Sequence, residues 1–253
     1  KLLPSAPYPD GSLITVHKDY PLLKANDLEG REITSVLKAV DSQRVSPSKL
    51  RASHLRGLAE PHGCILDFGP IDVSKPLILV MNGWLRFGGG MANIAASQDA
   101  SLPFPFPVLE AETSSGNWSP IDVSVGAPSG KTKTIVVDLE GKLAKGTKRI
   151  KLTTAFEIHW DRIALMEKVA DPKTKVHFEQ PSAADLHYRG FSKLKDLPAD
   201  WPLTPDYNQV TIDSYWTLIP GGWCTRYGDV MELIQSRDEG LLLLNSGDEL
   251  VLQ

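Results

Sequence analysis

A chain of 253 residues with 42% hydrophobic and 23% charged residues has the composition of an ordinary folded protein. Its formal net charge of −4 gives no general affinity for nucleic acid or for an anionic membrane surface, and no apolar run approaches the ~20 residues a membrane-spanning helix needs. Twenty glycines and nineteen prolines punctuate the chain and favour many short strands over long helices.

Residues 1–60 read as an extended, irregular N-terminal segment: a proline-rich lead, a short strand over Leu13–His17, then a mixed stretch in which 33–40 fits a strand or a helical turn. From Cys64 the β signal sharpens. GCILDFG (63–69) is a short apolar run between glycines, and PLILVMNGW (76–84) has the unbroken apolar composition of a central strand. The Gly88–Gly90 triplet predicts a turn, with Met91–Ser97 pairing back as a hairpin partner. Pro103, Pro105 and Pro107 cannot donate ladder bonds, so this stretch reads as an edge or an extended loop. Further strands are predicted over Val108–Glu112, Trp118–Val125 and Thr134–Asp138.

The clearest pattern lies in KRIKLTTAFEIHWDRIAL (148–165). Ile150, Leu152, Thr154, Phe156, Ile158 and Trp160 alternate with Arg149, Lys151, Thr153, Ala155, Glu157, His159 and Asp161, a period of two that predicts one strand with a dry and a wet face. The phase slips after Asp161, which places a bulge or bend near Asp161–Arg162. An interruption near 170–175 divides the chain. Beyond it, 175–180 and 185–191 read as strands, 193–209 as a long loop, Tyr227–Ser236 as a short helix, and Leu241–Asn245 with Glu249–Leu252 as a closing hairpin. The start at Lys1 and the stop inside a strand-like stretch lead to the expectation that more chain, or a neighbouring one, completes the sheet. The expected fold is an all-β antiparallel sandwich of jelly-roll, galactose-binding-like type over residues 61–172, with a small mixed extension over 173–253.

Candidate ligand-binding residues cluster around the tryptophans. A sugar ring stacks on an exposed indole while amide and charged side chains hold its hydroxyls. Trp84 beside the Gly88–Gly90 turn, with Asn82, Arg86, Asn93 and Gln98, can form such a platform, and Trp118 in Gly116–Ser119 can form another; the plainer reading is that these indoles fill the core. Asn117-Trp118-Ser119 is a glycosylation sequon, which points to a surface loop. Glu157, His159 and Asp161 share the wet face of one strand. With His177 or His187 from neighbouring strands they can hold a metal or do acid–base work, against a plainer reading as a solvated face. Asp138 with Glu140, and Asp248 with Glu249, supply too few oxygens for calcium. The basic residues Lys142, Lys145, Lys148, Arg149 and Lys151 read as a solvated hairpin tip. Met81, Met91, Met166 and His159 include possible haem ligands, but no haem-attachment motif is present. Two cysteines, Cys64 and Cys224, allow one disulfide or two separate thiols. No nucleophile, zinc-protease or phosphate-loop motif occurs.

Three groups of segments, LILVMNGWLRF (77–87), KTKTIVVDLEGKL (131–143) with RIKLTTAFEIHWDRI (149–163), and TRYGDVMELI (225–234) with LLNSGDEL (243–250), together resemble a β-rich region that follows FG-GAP propellers. That region occurs in bacterial proteins of the ASPIC/UnbV and cartilage-acidic-protein-like group. The resemblance spans about residues 60–250 and implies an extracytoplasmic location, periplasmic or secreted, within a larger assembly and without a catalytic role. The expected function is therefore a non-catalytic structural or interaction module that meets another protein chain or the remainder of its own polypeptide. It is expected to need no cofactor, no nucleic acid and no membrane span. The alternatives are a carbohydrate-binding module that takes polysaccharide on its tryptophans, and a haem-holding subunit of a redox assembly.

Overall fold

The computed structural model describes residues 2–4 (backbone only), 13–51, 56–101, 106–169, 175, 177, 179–198, 201–215, 222–236 and 238–253. The strands are β1 (Leu2–Pro4), β2 (Leu13–Tyr20), β3 (Lys24–Asp27), β4 (Leu58–Asp67) and β5 (Leu77–Leu85). After helix α1 (Gly89–Gln98) come β6 (Val108–Glu112), β7 (Trp118–Pro120), β8 (Lys133–Asp138), β9 (Arg149–Phe156) and β10 (Ile158–Lys168). Then follow β11 (Ala184–Tyr188), β12 (Phe191–Leu194), β13 (Pro205–Thr211), β14 (Gly228–Asp229) and β15 (Asp248–Leu252). The chain divides into two compact units, Lys1–Asp171 and Pro172–Gln253.

The first unit is an antiparallel β-sandwich. One sheet runs β1-β2-β10-β5-β8 and the other β3-β4-β9-β6-β7. Their facing side chains form one core, in which Leu79 and Met81 of β5 join Leu66 of β4, Leu109 of β6 and Ile150 and Leu152 of β9. Period-two alternation accounts for this: on β9, Ile150, Leu152 and Thr154 are buried while Arg149, Lys151 and Thr153 between them are half-buried. β5 reads as a continuous apolar run because both its faces are covered. Leu77, Leu79 and Met81 enter the shared core, while Ile78 and Val80 join a second buried cluster with Val136, Ala164 and Met166. The strand expected over Leu13–His17 is present and runs on to Tyr20 as β2, while the mixed stretch after it holds a further strand, β3, and each adds to one of the sheets.

The ribbon expected over 148–165 is two strands. β9 pairs with β4 and β6 in one sheet, β10 with β5 and β2 in the other, and the chain passes between the sheets at Glu157. The predicted bulge is present: pairing to β5 steps from Trp160–Gly83 to Arg162–Asn82, which leaves Asp161 without a partner opposite. The freed Asp161 carboxylate, buried, accepts N–H bonds from Asp41 and Ser42, each at 3.2 Å. It thereby holds the loop over 33–50, whose Val45 exchanges backbone bonds with Trp160 at 2.8 and 2.9 Å.

Other expectations are corrected. Gly89–Gln98 is an α-helix, not a hairpin strand, because the strong helix former Ala recurs there with a single β-branched residue, Ile94. The strand expected over Trp118–Val125 stops at Pro120, and 33–40 is a series of turns. Pro103 and Pro105 lie outside the described residues.

In the second unit β11 lies between β14 and β15, and β12 pairs with β13. The expected hairpin partner of Glu249–Leu252 is therefore wrong: β15 pairs with β11, while 241–245 forms no strand. The long loop expected over 193–209 contains β13, and Tyr227–Ser236 holds only a 3₁₀ turn at Met231–Leu233. Val230 is nevertheless buried with Leu233 and Ile234 packed against it, so the apolar spacing marks the correct inward face. The described residues among 175–180 are not strand, and 176 and 178 lie outside the description.

Gly63 sets how closely β4 can approach β9, since a Cβ there would lie 1.8 Å from the Leu152 carbonyl oxygen. Gly63→Ala is expected to cost about 2–4 kcal/mol because the clash is with backbone, which cannot rotate away. Gly90→Ala in α1 meets nothing within 4 Å and is expected to be neutral or stabilising by up to about 1 kcal/mol. Urea unfolding midpoints of the two variants against the parent check both values.

Candidate functional site

Where the chain leaves β9 for β10, Glu157 is 1% exposed. Its backbone is fixed on both sides, since its N–H donates to the Gly57 carbonyl at 2.9 Å and its carbonyl accepts from Arg86 N–H at 3.0 Å. The carboxylate is fixed as well. Arg56 Nη2 donates to Oε1 at 2.5 Å, Gly57 N–H to Oε2 at 2.8 Å, and Arg86 Nε lies 3.1 Å from Oε1. His159 Nε2 stands 3.6 Å from the same oxygen, longer than a normal hydrogen bond. The wet face expected for Glu157, His159 and Asp161 is therefore buried. A lone carboxylate enters the interior only when cations and N–H groups replace its water, and two arginines and a glycine amide do so here.

His159 carries the network outward. Its Nδ1 lies 2.8 Å from Ser46 Oγ, and its ring stacks on Trp84 with centroids 4.9 Å apart and planes 20° from parallel. The Arg86 guanidinium sits over the same indole at 4.9 Å. Trp84 is 5% exposed, so it offers no open platform for a sugar. Asn82 is likewise inside, its Nδ2 donating across to Thr134 Oγ1 on β8 at 3.0 Å.

Beside this network lies a hollow of about 230 Å³. Leu58, Ala92 and Phe156 are its buried lining, and Arg86 and Asn93 also border it. Phe87 (73% exposed) and Phe106 (64%) form its rim. Its wall is a close crossing of two glycines. A Cβ on Gly57 would come within 2.6 Å of Gly88 Cα, and one on Gly88 within 2.5 Å of the Arg56 carbonyl oxygen. Gly57 also has φ +92°, a conformation few side chains tolerate. These glycines bring Arg56 and Arg86 to the one carboxylate.

Of the six residues proposed from sequence, Arg86 and Asn93 line the hollow, Asn82 and Trp84 lie behind it, and Gln98 is exposed at the far end of α1. Trp118 is elsewhere, half-buried on β7 with Lys151 Nζ 4.8 Å from its ring, and the adjacent sequon residue Asn117 is exposed. The basic hairpin residues are partly committed: Arg149 pairs with Glu112, and Lys151 with Glu110 at 2.7 Å. Asp138 and Glu140 both face Lys168. Met81 and Met166 are buried in apolar clusters, and Met91 is exposed. His187 pairs with Asp185 at 2.7 Å, and His54 lies outside the described residues. Cys64 and Cys224 are both free thiols, and burial pushes Cys64 up to about 12. Among the described residues no group of three or more His, Cys, Asp or Glu is placed to hold a metal ion.

No family model, curated protein or solved structure matches the chain. The site is accordingly read from its own chemistry. Ser46, Arg56 and Gly57 escape the sequence reading because their segment is polar and without periodicity. Glu157 itself stands on the polar side of an alternating pattern, which marks such a residue as solvated and gives no signal of its burial.

Burial pushes the Glu157 carboxyl up, but the His159 imidazole, the Gly57 amide and the Arg56 guanidinium outweigh it and bring it down to about 2. The group is ionised at neutral pH and donates no proton. Because its folded pKa lies below the ordinary 4.5, its contribution is complete above pH 4.5 and is lost as pH falls toward 2. That contribution is roughly 3 kcal/mol. Chemical unfolding across this window is expected to show the loss in the parent, and a flatter pH dependence in Glu157→Gln.

Proposed function

We propose that this chain is a non-catalytic interaction module that seats an apolar group of a partner protein in the hollow beside Arg86. The observation that carries this reading is the distribution of exposure around the hollow. Its interior is apolar and its rim presents Phe87 and Phe106, while Met91 and Ile94 of α1 are also exposed on the same segment. Exposed apolar side chains gathered round a recess mark interaction surfaces more often than isolated ones do. The buried polar groups next to it point the same way. Glu157 is enclosed by Arg56, Gly57 and Arg86, whose donors occupy its two oxygens in an arrangement that ties two sheets together. Placement in an extracytoplasmic assembly, which the sequence resemblance implies, belongs to the same proposal.

The sugar-binding alternative now rests on Trp118, because Trp84 is covered by His159 and Arg86. Trp118 has Lys151 on its ring and Arg149 at 5.8 Å, which leaves less indole for a sugar face.

Panning a random peptide display library against the folded protein tests the docking reading. Peptides with aromatic or branched apolar anchors are expected to be selected. Their affinity is expected to fall at least tenfold for the double variant Phe87→Ser, Phe106→Ser, which removes rim rather than core side chains. Selected peptides that bind the variant as well as the parent, or no selection at all, would remove the hollow as the docking site.

A further inference from the structure

The hollow is apolar inside but its electrostatic setting is cationic. Arg56 and Arg86 converge on the single carboxylate of Glu157, so the cluster at its edge holds two guanidinium charges against one negative charge. Arg86 itself lines the hollow. Gly88, Gly89, Ala92 and Asn93, from the start of α1, line it too, and no side chain caps that first turn. The positive end of the helix therefore adds to the same sign of potential. At Gly89 a Cβ would meet nothing within 4 Å, so no side chain keeps a ligand from the backbone there.

Volume narrows the occupant. An apolar cavity of about 150 Å³ holds one benzene ring, so a hollow of about 230 Å³ has room for an aromatic ring with a small polar substituent. An aromatic ring and a carboxylate on adjacent atoms of one residue occur at the C-terminus of a polypeptide that ends in Phe, Tyr or Trp. Capture of a terminal carboxylate by backbone N–H groups and a cation is an established way of reading a chain end.

Resting on the docking reading above, we propose that the hollow binds the C-terminal aromatic residue of a partner polypeptide. The ring lies against Leu58, Phe106 and Phe156, and the terminal carboxylate faces Arg86 and the first turn of α1.

The test uses the folded 253-residue chain and four probes: N-acetyl-phenylalanine, its carboxamide, and a pentapeptide ending in phenylalanine with a free or an amidated terminus. Binding is measured by calorimetry and by NMR shifts. Each free acid is expected to bind at least tenfold more tightly than its amide. The acid's affinity is expected to fall between 50 and 500 mM salt, with shifts centred on Gly88–Asn93. Arg86→Lys keeps a charge beside Glu157 but loses the planar fork, so it should narrow the acid–amide gap, while amide binding and thermal unfolding measured alongside separate a lost carboxylate contact from a disturbed fold. If acid and amide bind equally in the hollow, carboxylate capture is wrong while the docking reading stands. If neither binds, although library peptides do so through internal aromatic residues, the chain-end assignment is wrong. If neither probes nor library peptides bind, both readings fall.

Discussion

A carboxylate placed in a protein interior must be surrounded by donors or it stays protonated, and that requirement organises the first unit. Glu157 sits where the chain steps from one sheet to the other, and its backbone and side chain are tied to Arg56, Gly57 and Arg86. Arg86 follows the end of β5 in one sheet, and Gly57 precedes β4 in the other. One ionised group therefore fastens the ends of four strands, β4, β5, β9 and β10, drawn from both sheets. Removing one partner of such a set is far more costly than the net worth of the set, because it leaves a buried charge unmatched.

The hollow follows from the same arrangement. Two arginines can reach one carboxylate only if their backbones approach, and glycines at 57 and 88 permit that approach. The backbones that cross at these glycines form one wall of the hollow, and Leu58, Ala92 and Phe156 line the rest of its interior. The hollow is thus a by-product of fastening the sheets, with its polar edge fixed by Glu157 and its rim of Phe87 and Phe106 exposed.

Much of the sandwich could be read from residue order. The alternation on β9, the unbroken apolar run of β5, the strand over Val108–Glu112 and the bulge at Asp161 are all local signals, since each depends on the period of a strand or on its interruption. β3 was hard to read because it is only four residues long and its pairing partner lies about forty residues away. In the second unit, the partner of β15 is β11 rather than the nearest apolar run, a choice made by the packing of Leu186 and Leu250. Helix α1 presents only Ala92 to the interior, so it lacks the apolar stripe by which helices are recognised.

The sequence by itself determined the fold class, because side-chain period and the frequency of glycine and proline act over a few residues and do not depend on what lies across the core. It also brought Arg86 and Asn93 forward as candidates, and both border the hollow. Only the tertiary structure decided that Trp84 faces His159 rather than solvent, that Glu157 is buried and ionised, and that Arg56 and Arg86 meet. The physical reason is that solvation of a polar group is a property of everything around it. Here Arg56 stands 101 residues from Glu157 along the chain, at a distance over which no local pattern carries information.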